Sequence, residues 1–462
     1  MPDRAFTLLP SGLLTVDELK KAVGGRRVTT VLLGVPDLSG RLRGKRINAR
    51  VFVQQAVGAR GSGPVVAADP DMTPLNSTGL PWDTGLGELL VQPDLDTIRH
   101  LPHDPGTALV HGDLLHSDGT PVDAAPRQML RDQIGRLRRL GFEVKAGLHS
   151  TMVLYHGTPQ QLRAERYQFL RPVFSDADDH SLSHPQDLTA CLDDLEQTLQ
   201  DAAAPVESVS TYSTPGQIGF TFPHGEAMSV CDAHTVYRHA ALAIAACRRM
   251  TPSFMAAPET GVVNGLHLRL SLWQNGHNAF AAPPDTPDPG RSLPDPLRNA
   301  VAGLICCLPH LAPLYAWGDN AYRRYLPYSF APTNFSWGFD NRTCAVRIAG
   351  EGPGRHLEVR TAGADASPYL AATASLAAIC HGLTEQPALP PSSEHDAYPD
   401  TRPRPVPRDL AEAVAAFEAS TLARRALGKH VVEHYVQAAR QEADHVRWQV
   451  PDIERMRGFD RA

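Results

Sequence analysis

The sequence has no C-x-x-C cysteine pair, no long apolar run and no surplus of positive charge. Its seven cysteines (Cys191, Cys231, Cys247, Cys306, Cys307, Cys344 and Cys380) are odd in number and scattered. That pattern fits a reducing cytoplasm better than an ordered disulfide framework or a zinc knuckle. No window approaches the ~18 uninterrupted apolar residues of a membrane span. The opening MPDRAFTLLPSG lacks the apolar stretch of a signal peptide. A net charge of -6 with 20 % charged residues gives no footing for nucleic acid or a membrane surface. No internal repeat is visible. At 462 residues, 42 % of them hydrophobic, the chain can bury a large core in two or three domains.

Proline (40) and glycine (36) are plentiful and imply many turns. VTTVLLGVPDLSGRLRGKRI reads as two strands joined by a Gly/Ser turn, and a Pro/Asp/Gly-rich loop region follows from about Gly61 to about Pro105. A helix is expected from near Ala125, with Pro126 in its first turn. Strand patterns recur at VKAGLHSTMVLYHG, GQIGFTF, VNGLHLRLSLW, CAVRIAG and HLEVRTAG. Helical patterns lie between them, including TVYRHAALAIAACRRM and PYLAATASLAAICHGL, and the tail from AEAVAAFEAS to ADHVRW reads as helix. The stretch PALPPSSEHDAYPDTRPRPVPRDL is a linker or loop. The fold class is α+β, with a small N-terminal sheet domain and a larger mixed domain.

In GLHLRLSLW, Leu266, Leu268, Leu270 and Leu272 share one strand face, while His267, Arg269, Ser271 and Trp273 share the other. GLHSTMVLYHG places His149 with Thr151, and HLEVR places His356, Glu358 and Arg360 together. If these strands belong to one curved sheet, His149, His267 and Glu358 converge. Two imidazoles and a carboxylate can ligate zinc, or iron(II) as a facial triad. The plainer alternative is that three of the chain's 20 histidine and many acidic positions share a face by chance.

The order of motifs resembles the glutamine synthetase superfamily, and in particular its γ-glutamyl-polyamine and ethanolamine branch. FMAAP followed by VNGLHLRLSL, then NAYRRYLPYSFAP, DNRTCAVRI, HLEVRTAGADASPYLAATASLAA, TPGQIGF and VPDIERMRGF each resemble a family motif. The resemblance implies an N-terminal β-grasp-like domain over residues 1–120 and a catalytic domain over 121–462. In the latter a curved antiparallel sheet flanked by helices forms a funnel. It further implies a cytoplasmic homo-oligomer, a hexameric ring or double-ring dodecamer, with an N-terminal residue reaching a neighbour's site. Asp69 and Asp71 in AADPDMTP are candidates.

The family's chemistry, as the resemblance implies it, uses two divalent metals to bring ATP phosphates and a carboxylate together. This sequence departs from that plan. The carboxylate positions of the first metal fall at Thr151, Tyr212 and Gly219. The flap glutamate falls at Phe330, the lysine of M-P-K-P at Ala257, the second histidine of H-x-H at Arg269, and the first arginine of R-x-E-x-R at His356. The positions of the second metal are His149, His267 and Glu358, with histidine in place of one glutamate; imidazole shifts preference from Mg²⁺ toward transition metals. Arg324 and Arg360 match arginines that hold amino-acid carboxylates, and Arg342 and Arg347 match those that hold phosphates. Arg269 is a candidate anion ligand, and Tyr212 a candidate proton donor or orienter.

Three functions follow. The preferred expectation is a mononuclear iron or zinc enzyme on this fold, acting on a small amino acid or carboxylate. The second is an ATP-dependent γ-glutamyl amide ligase, for which ATP and Mg²⁺ would be required. The third is a non-catalytic regulatory homologue.

Overall fold

The computed structural model describes residues 12–55, 59–61, 64–68, 73, 75, 89–175, 179–283, 286 and 288–461. Asp69 and Asp71 lie outside the described residues. The first sheet contains β1 (Thr30–Pro36), β2 (Leu42–Asn48), β3 (Ala59–Gly61), β4 (Leu89–Pro93), β5 (Arg99–His100) and β6 (Thr107–Leu115). Its order is β2-β1-β6-β4-β3, with β5 also on β6. β1 and β2 are antiparallel, as the Gly/Ser turn predicts. Asp37 Oδ1 accepts from the backbone N–H groups of Ser39 and Arg41 at 3.0 and 2.9 Å, and Gly40 takes φ +73°. A short acidic side chain thereby supplies the acceptors the turn needs, and glycine supplies the left-handed backbone. The stretch expected as loop between about Gly61 and Pro105 contains β4 and β5. Their strand state comes from pairing with β6, which local composition does not reveal.

The second sheet contains β7 (Glu143–His156), β8 (Ser208–Thr211), β9 (Gln217–Thr221), β10 (Gly225–Glu226), β11 (Met250–Ser253), β12 (Gly265–Gln274), β13 (His277–Asn278), β14 (Trp337–Phe339), β15 (Val346–Ala349) and β16 (His356–Gly363). Its order is β14-β15-β16-β12-β7-β9-β8; β10 and β11 add to β7, and β13 to β12. The described pairings are antiparallel except β14 with β15. On β12 the four leucines are 0–1 % exposed. Burying each contributes roughly 1.5–3 kcal/mol, enough to fix which face turns to the core.

Behind the sheet pack the helices Ala227–Cys247, Asp295–Leu311 and Pro368–Glu385. A Cβ on Gly303 would sit 2.2 Å from Ala378 O, and one on Gly382 2.0 Å from Asn299 O, so the last two helices cross backbone to backbone. The segment Asp295–Leu314 has mean hydropathy 1.3 and is long enough to cross a membrane, but 72 % of its apolar window is buried in this core. The tail, expected as one helical stretch, is three helices: Leu410–Ala419, Thr421–Leu427 and Lys429–Arg447. Ser420 caps the second through Ala423 N–H at 3.0 Å, and Gly428, at φ +92°, ends it.

A buried ion cluster joins the first sheet to these helices. Arg127, on the helix Pro126–Arg139, donates to both oxygens of Asp232 at 3.1 and 2.9 Å, to Asp113 at 2.7 Å and to Asp94 at 2.9 Å. Tyr369 Oη donates to Asp232 at 2.6 Å. Burial raises the Asp232 carboxyl, but His111 and Arg127 overcome that and hold it at about 2.

Candidate functional site

The concave face is read across the strands in two rows. Thr221 on β9 faces His149 on β7, which faces His267 on β12. Gly147 on β7 faces Arg269 on β12, which faces Glu358 on β16, which faces Arg347 on β15. The period-two alternation of four strands therefore brings His149, His267, Arg269, Arg347, Glu358 and Arg360 to one face; the sequence pattern predicts this for the three strands that carry His149, His267 with Arg269, and Glu358 with Arg360. The His149 and His267 rings lie 5.6 Å apart at 32°.

The protein already occupies most of the donors and acceptors in this group. His149 Nδ1 contacts Thr221 Oγ1 at 3.0 Å and its Nε2 contacts Tyr212 Oη at 2.9 Å. Glu358 Oε2 accepts from Arg347 at 2.9 Å, and Oε1 accepts a short bond from Arg360. Arg347 also pairs with Asp340, through Nε at 2.9 Å. Arg360 reaches Phe330 O at 3.0 Å, and its Nη1 lies 3.4 Å from His267 Nδ1. Arg324, 2 % exposed, donates to the backbone carbonyls of Thr361 at 3.1 Å and Arg360 at 3.0 Å. It grips the end of β16 from beneath. Arg342 is exposed on the loop before β15. The Nε atoms of Arg269 and Arg360 are buried without a partner in the protein.

Protonation follows from these neighbours. Burial, with Arg269 second, pushes the His149 imidazole down to about 4. Burial and Arg360 push His267 well below its usual range. Both rings are neutral at pH 7. Burial raises Glu358, but Arg360 and Arg347 win and hold its carboxyl at about 2. Burial and Asp179 raise the Tyr212 phenol, which stays protonated. Around one ionised, doubly paired carboxylate the face is thus lined by guanidiniums.

The residues do not fit a pair of hard divalent cations. Mg²⁺ takes oxygen ligands, with carboxylates to balance its charge. At the positions where the family resemblance implies the first metal stand Thr151, Tyr212 and Gly219. Thr151 Oγ1 is spent on Asn264 Oδ1 at 3.2 Å and on the Gly265 N–H at 2.9 Å. The Tyr212 ring fills the space over Gly219: a Cβ there would meet Tyr212 Cε2 at 2.5 Å and His149 Cε1 at 2.8 Å. Among the described residues, the group of three metal-capable side chains whose ligand atoms lie within 4.8 Å of one another is Cys306, Cys307 and His381, on the helices behind the sheet. His149, His267 and Glu358 are neighbours on the sheet without forming such a group.

Several residues at the site were not singled out from the sequence. Thr221, Asn264 and Asp340 orient His149, Thr151 and Arg347. The alternation in GQIGFTF, which puts Gln217, Gly219 and Thr221 on one face, was enough to find Thr221. Phe330 (φ +57°) and Tyr328 (φ +64°) are exposed and left-handed, with Tyr398 5.3 Å from Tyr328 across the rim. His224 packs on Gly147 and lies 5.2 Å from His356. Ala257 is held through both backbone groups by Asn320 at 2.9 Å.

Residues 123–457 match the glutamine synthetase catalytic-domain family. The chain is 36 % identical to the γ-glutamylethanolamide synthetase of Streptomyces coelicolor, over 97 % of this chain and 96 % of that one. It is 30 % identical to the glutamate–isopropylamine ligase of a Pseudomonas species (89 % and 90 % covered) and 28 % identical to the γ-glutamylputrescine synthetase of Escherichia coli (86 % and 85 %). A solved structure of GmaS with ADP superposes with TM-score 0.82 over 96 % of this chain and 99 % of that one, at 22 % identity, which bears on the fold alone. These relatives are amide-forming synthetases and ligases. They overturn the expectation of a mononuclear iron or zinc enzyme, and they lend a transition-metal cofactor no support. The physical reason lies in the site. In this site His149 sits in a Thr221–His149–Tyr212 hydrogen-bond chain. The α+β fold with its curved sheet and flanking helices is the expected one, and the chain belongs to the glutamine synthetase family.

Proposed function

We propose that this enzyme is an ATP-dependent γ-glutamyl amide ligase, joining an amine to the side-chain carboxylate of glutamate or a close analogue. The observation that carries the reading is 36 % identity to a γ-glutamylethanolamide synthetase along nearly the whole of both chains. The charge on the concave face supports it. Both the carboxylate and the nucleotide phosphates are anions, and guanidiniums bind such groups through paired, charge-assisted hydrogen bonds.

In this reading the substrate carboxylate attacks the terminal phosphorus and the nucleoside diphosphate leaves. The amine then attacks the acyl carbon, inorganic phosphate leaves and the amine gives up a proton. Arg360 orients the amino-acid carboxylates, with Arg324 holding its strand in place. Arg342, Arg347 and Arg269 take the phosphates. Tyr212, 2.9 Å from His149, is the candidate proton donor or orienter beside the reacting groups, and the amine's proton leaves to solvent. The β-grasp-like segment 1–120 and a ring-shaped homo-oligomer complete the proposal, the latter read out by native mass spectrometry.

The test is incubation with ATP, Mg²⁺, glutamate and ethanolamine, isopropylamine or putrescine, following ADP release and the amide by mass spectrometry. Amide equimolar with ADP is expected for at least one amine. Neither amide nor ADP across an extended amine panel would overturn the reading and favour the non-catalytic one.

A further inference from the structure

The concave face has more guanidinium than its own acids can use. Arg269, Arg342, Arg347 and Arg360 stand against Glu358 and Asp340, and both acids are taken up by Arg347 and Arg360. Arg324 is spent on backbone carbonyls. Asp179, near Tyr212 at the rim, lies 3.8 Å from His180. Asp365 is buried, with Arg238 and Arg324 the cations acting on it. Among the described residues Arg269 and Arg342 have no carboxylate partner.

Arg269 is the more telling of the two. Its neighbours across the strands are Gly147 on one side and Glu358 on the other. Its Nε is buried and makes no hydrogen bond in the protein. A buried donor left open is costly and points to a group supplied from outside. An anion is the complement, because Arg269 donates only. Where a divalent cation would draw its carboxylates, the structure offers Thr151, Gly219 and the Tyr212 ring, with the last two packed into each other.

We propose that Arg269 and Arg342 bind the phosphate groups of the nucleoside triphosphate directly, doing by guanidinium what a divalent cation would otherwise do. Nucleotide binding then persists when divalent metal is removed. The inference rests on the ligase reading for the identity of its ligand, and its test separates the two.

ATP binding to the full-length protein is measured by isothermal titration calorimetry in EDTA and again with Mg²⁺. The dissociation constant in EDTA is expected within about threefold of the Mg²⁺ value. Arg269→Gln is expected to weaken binding about tenfold or more in EDTA, the scale of losing one charge-assisted pair, with Arg269→Lys recovering part of it. Arg342→Ala, on an exposed loop that tolerates truncation, is expected to weaken it in the same direction. Binding seen only with Mg²⁺, or unchanged affinity in Arg269→Gln and Arg342→Ala, would overturn the inference; amide formation in the Mg²⁺ sample would then leave the ligase reading standing. ATP bound in EDTA with no amide from any amine would sink the ligase reading and leave the metal-free site. No ATP bound in either buffer overturns the inference outright.

Discussion

Replacing Arg127 by methionine tests whether the buried ion cluster is what fastens the first sheet to the catalytic helices. The substitution nearly conserves volume, so cavity effects stay small. It strips Asp232, 1 % exposed, of both guanidinium bonds and leaves it the Tyr369 hydroxyl at 2.6 Å. Asp94 and Asp113 keep partial solvent, and Asp113 keeps Arg131 at 2.7 Å. Two routes give the magnitude. Breaking one partner from a buried pair costs about 3–5 kcal/mol. The depressed Asp232 carboxyl, about 2 against its ordinary 3.8, corresponds to roughly 2–3 kcal/mol at about 1.4 kcal/mol per unit. Its sign is that of an acid held low in the folded state. The contribution is complete above pH 3.8 and is lost as pH falls toward 2. Unfolding entropy for a chain of this length is ~1 kcal/mol per kelvin, so a loss of about 4 kcal/mol lowers the melting midpoint by about 4 °C. Differential scanning fluorimetry at pH 7 reads this directly. Arg127→Met combined with Asp232→Leu removes both charges and should recover at least half the loss. An unchanged midpoint in the single variant, or a double variant worse than either single one, would refute the reasoning.

Three further outcomes are expected. Gly219→Ala pushes a methyl into Tyr212 and His149, so it should cost about 1–3 kcal/mol of stability, and adding Tyr212→Ala should relieve part of that strain in the same melting assay. Tyr212→Phe removes the partner of His149 Nε2 and should lower amide formation by about 10²-fold at saturating substrate without displacing bound nucleotide, as steady-state kinetics beside calorimetry would show. Glu358 is held at about 2 against an ordinary 4.5, so its stabilisation is complete above pH 4.5 and disappears as pH drops toward 2. Glu358→Gln should therefore flatten the melting midpoint against pH between those limits, and a profile parallel to the parent's would show that the carboxylate's pairing does not matter.

The concave face was largely legible in the sequence because alternation is a local property. Leu266 to Trp273 announces which residues share a side, and three such strands suffice to bring His149, His267 and Glu358 together once the motifs supply their order. What the side chains do there was not legible. Whether an imidazole ligates a metal or accepts a hydrogen bond depends on which group stands opposite it two strands away. Tyr212 and Thr221 reach His149 from 63 and 72 residues along the chain. The retention of a ligand type at position 149 suggested a metal, and the hydrogen-bond chain through the same ring was not foreseen. The strands β4 and β5 were hidden for a related reason: their partner β6 makes them strands, and composition alone reads as loop. The breaks in the tail at Ser420 and Gly428 were visible as a cap residue and a glycine, and the helical periodicity around them masked both.

The Tyr212 ring seated on Gly219 also sets the direction in which this site can change. Returning a carboxylate to position 219 by itself would drive its Cβ to within 2.5 Å of that ring, while trading Tyr212 for glutamate alone would leave a hole over Gly219 and strip His149 of its hydroxyl partner. Each step carries a cost that the other relieves. A metal cage here needs carboxylates at both positions and at Thr151 as well, so each single change toward it meets a cost before any gain.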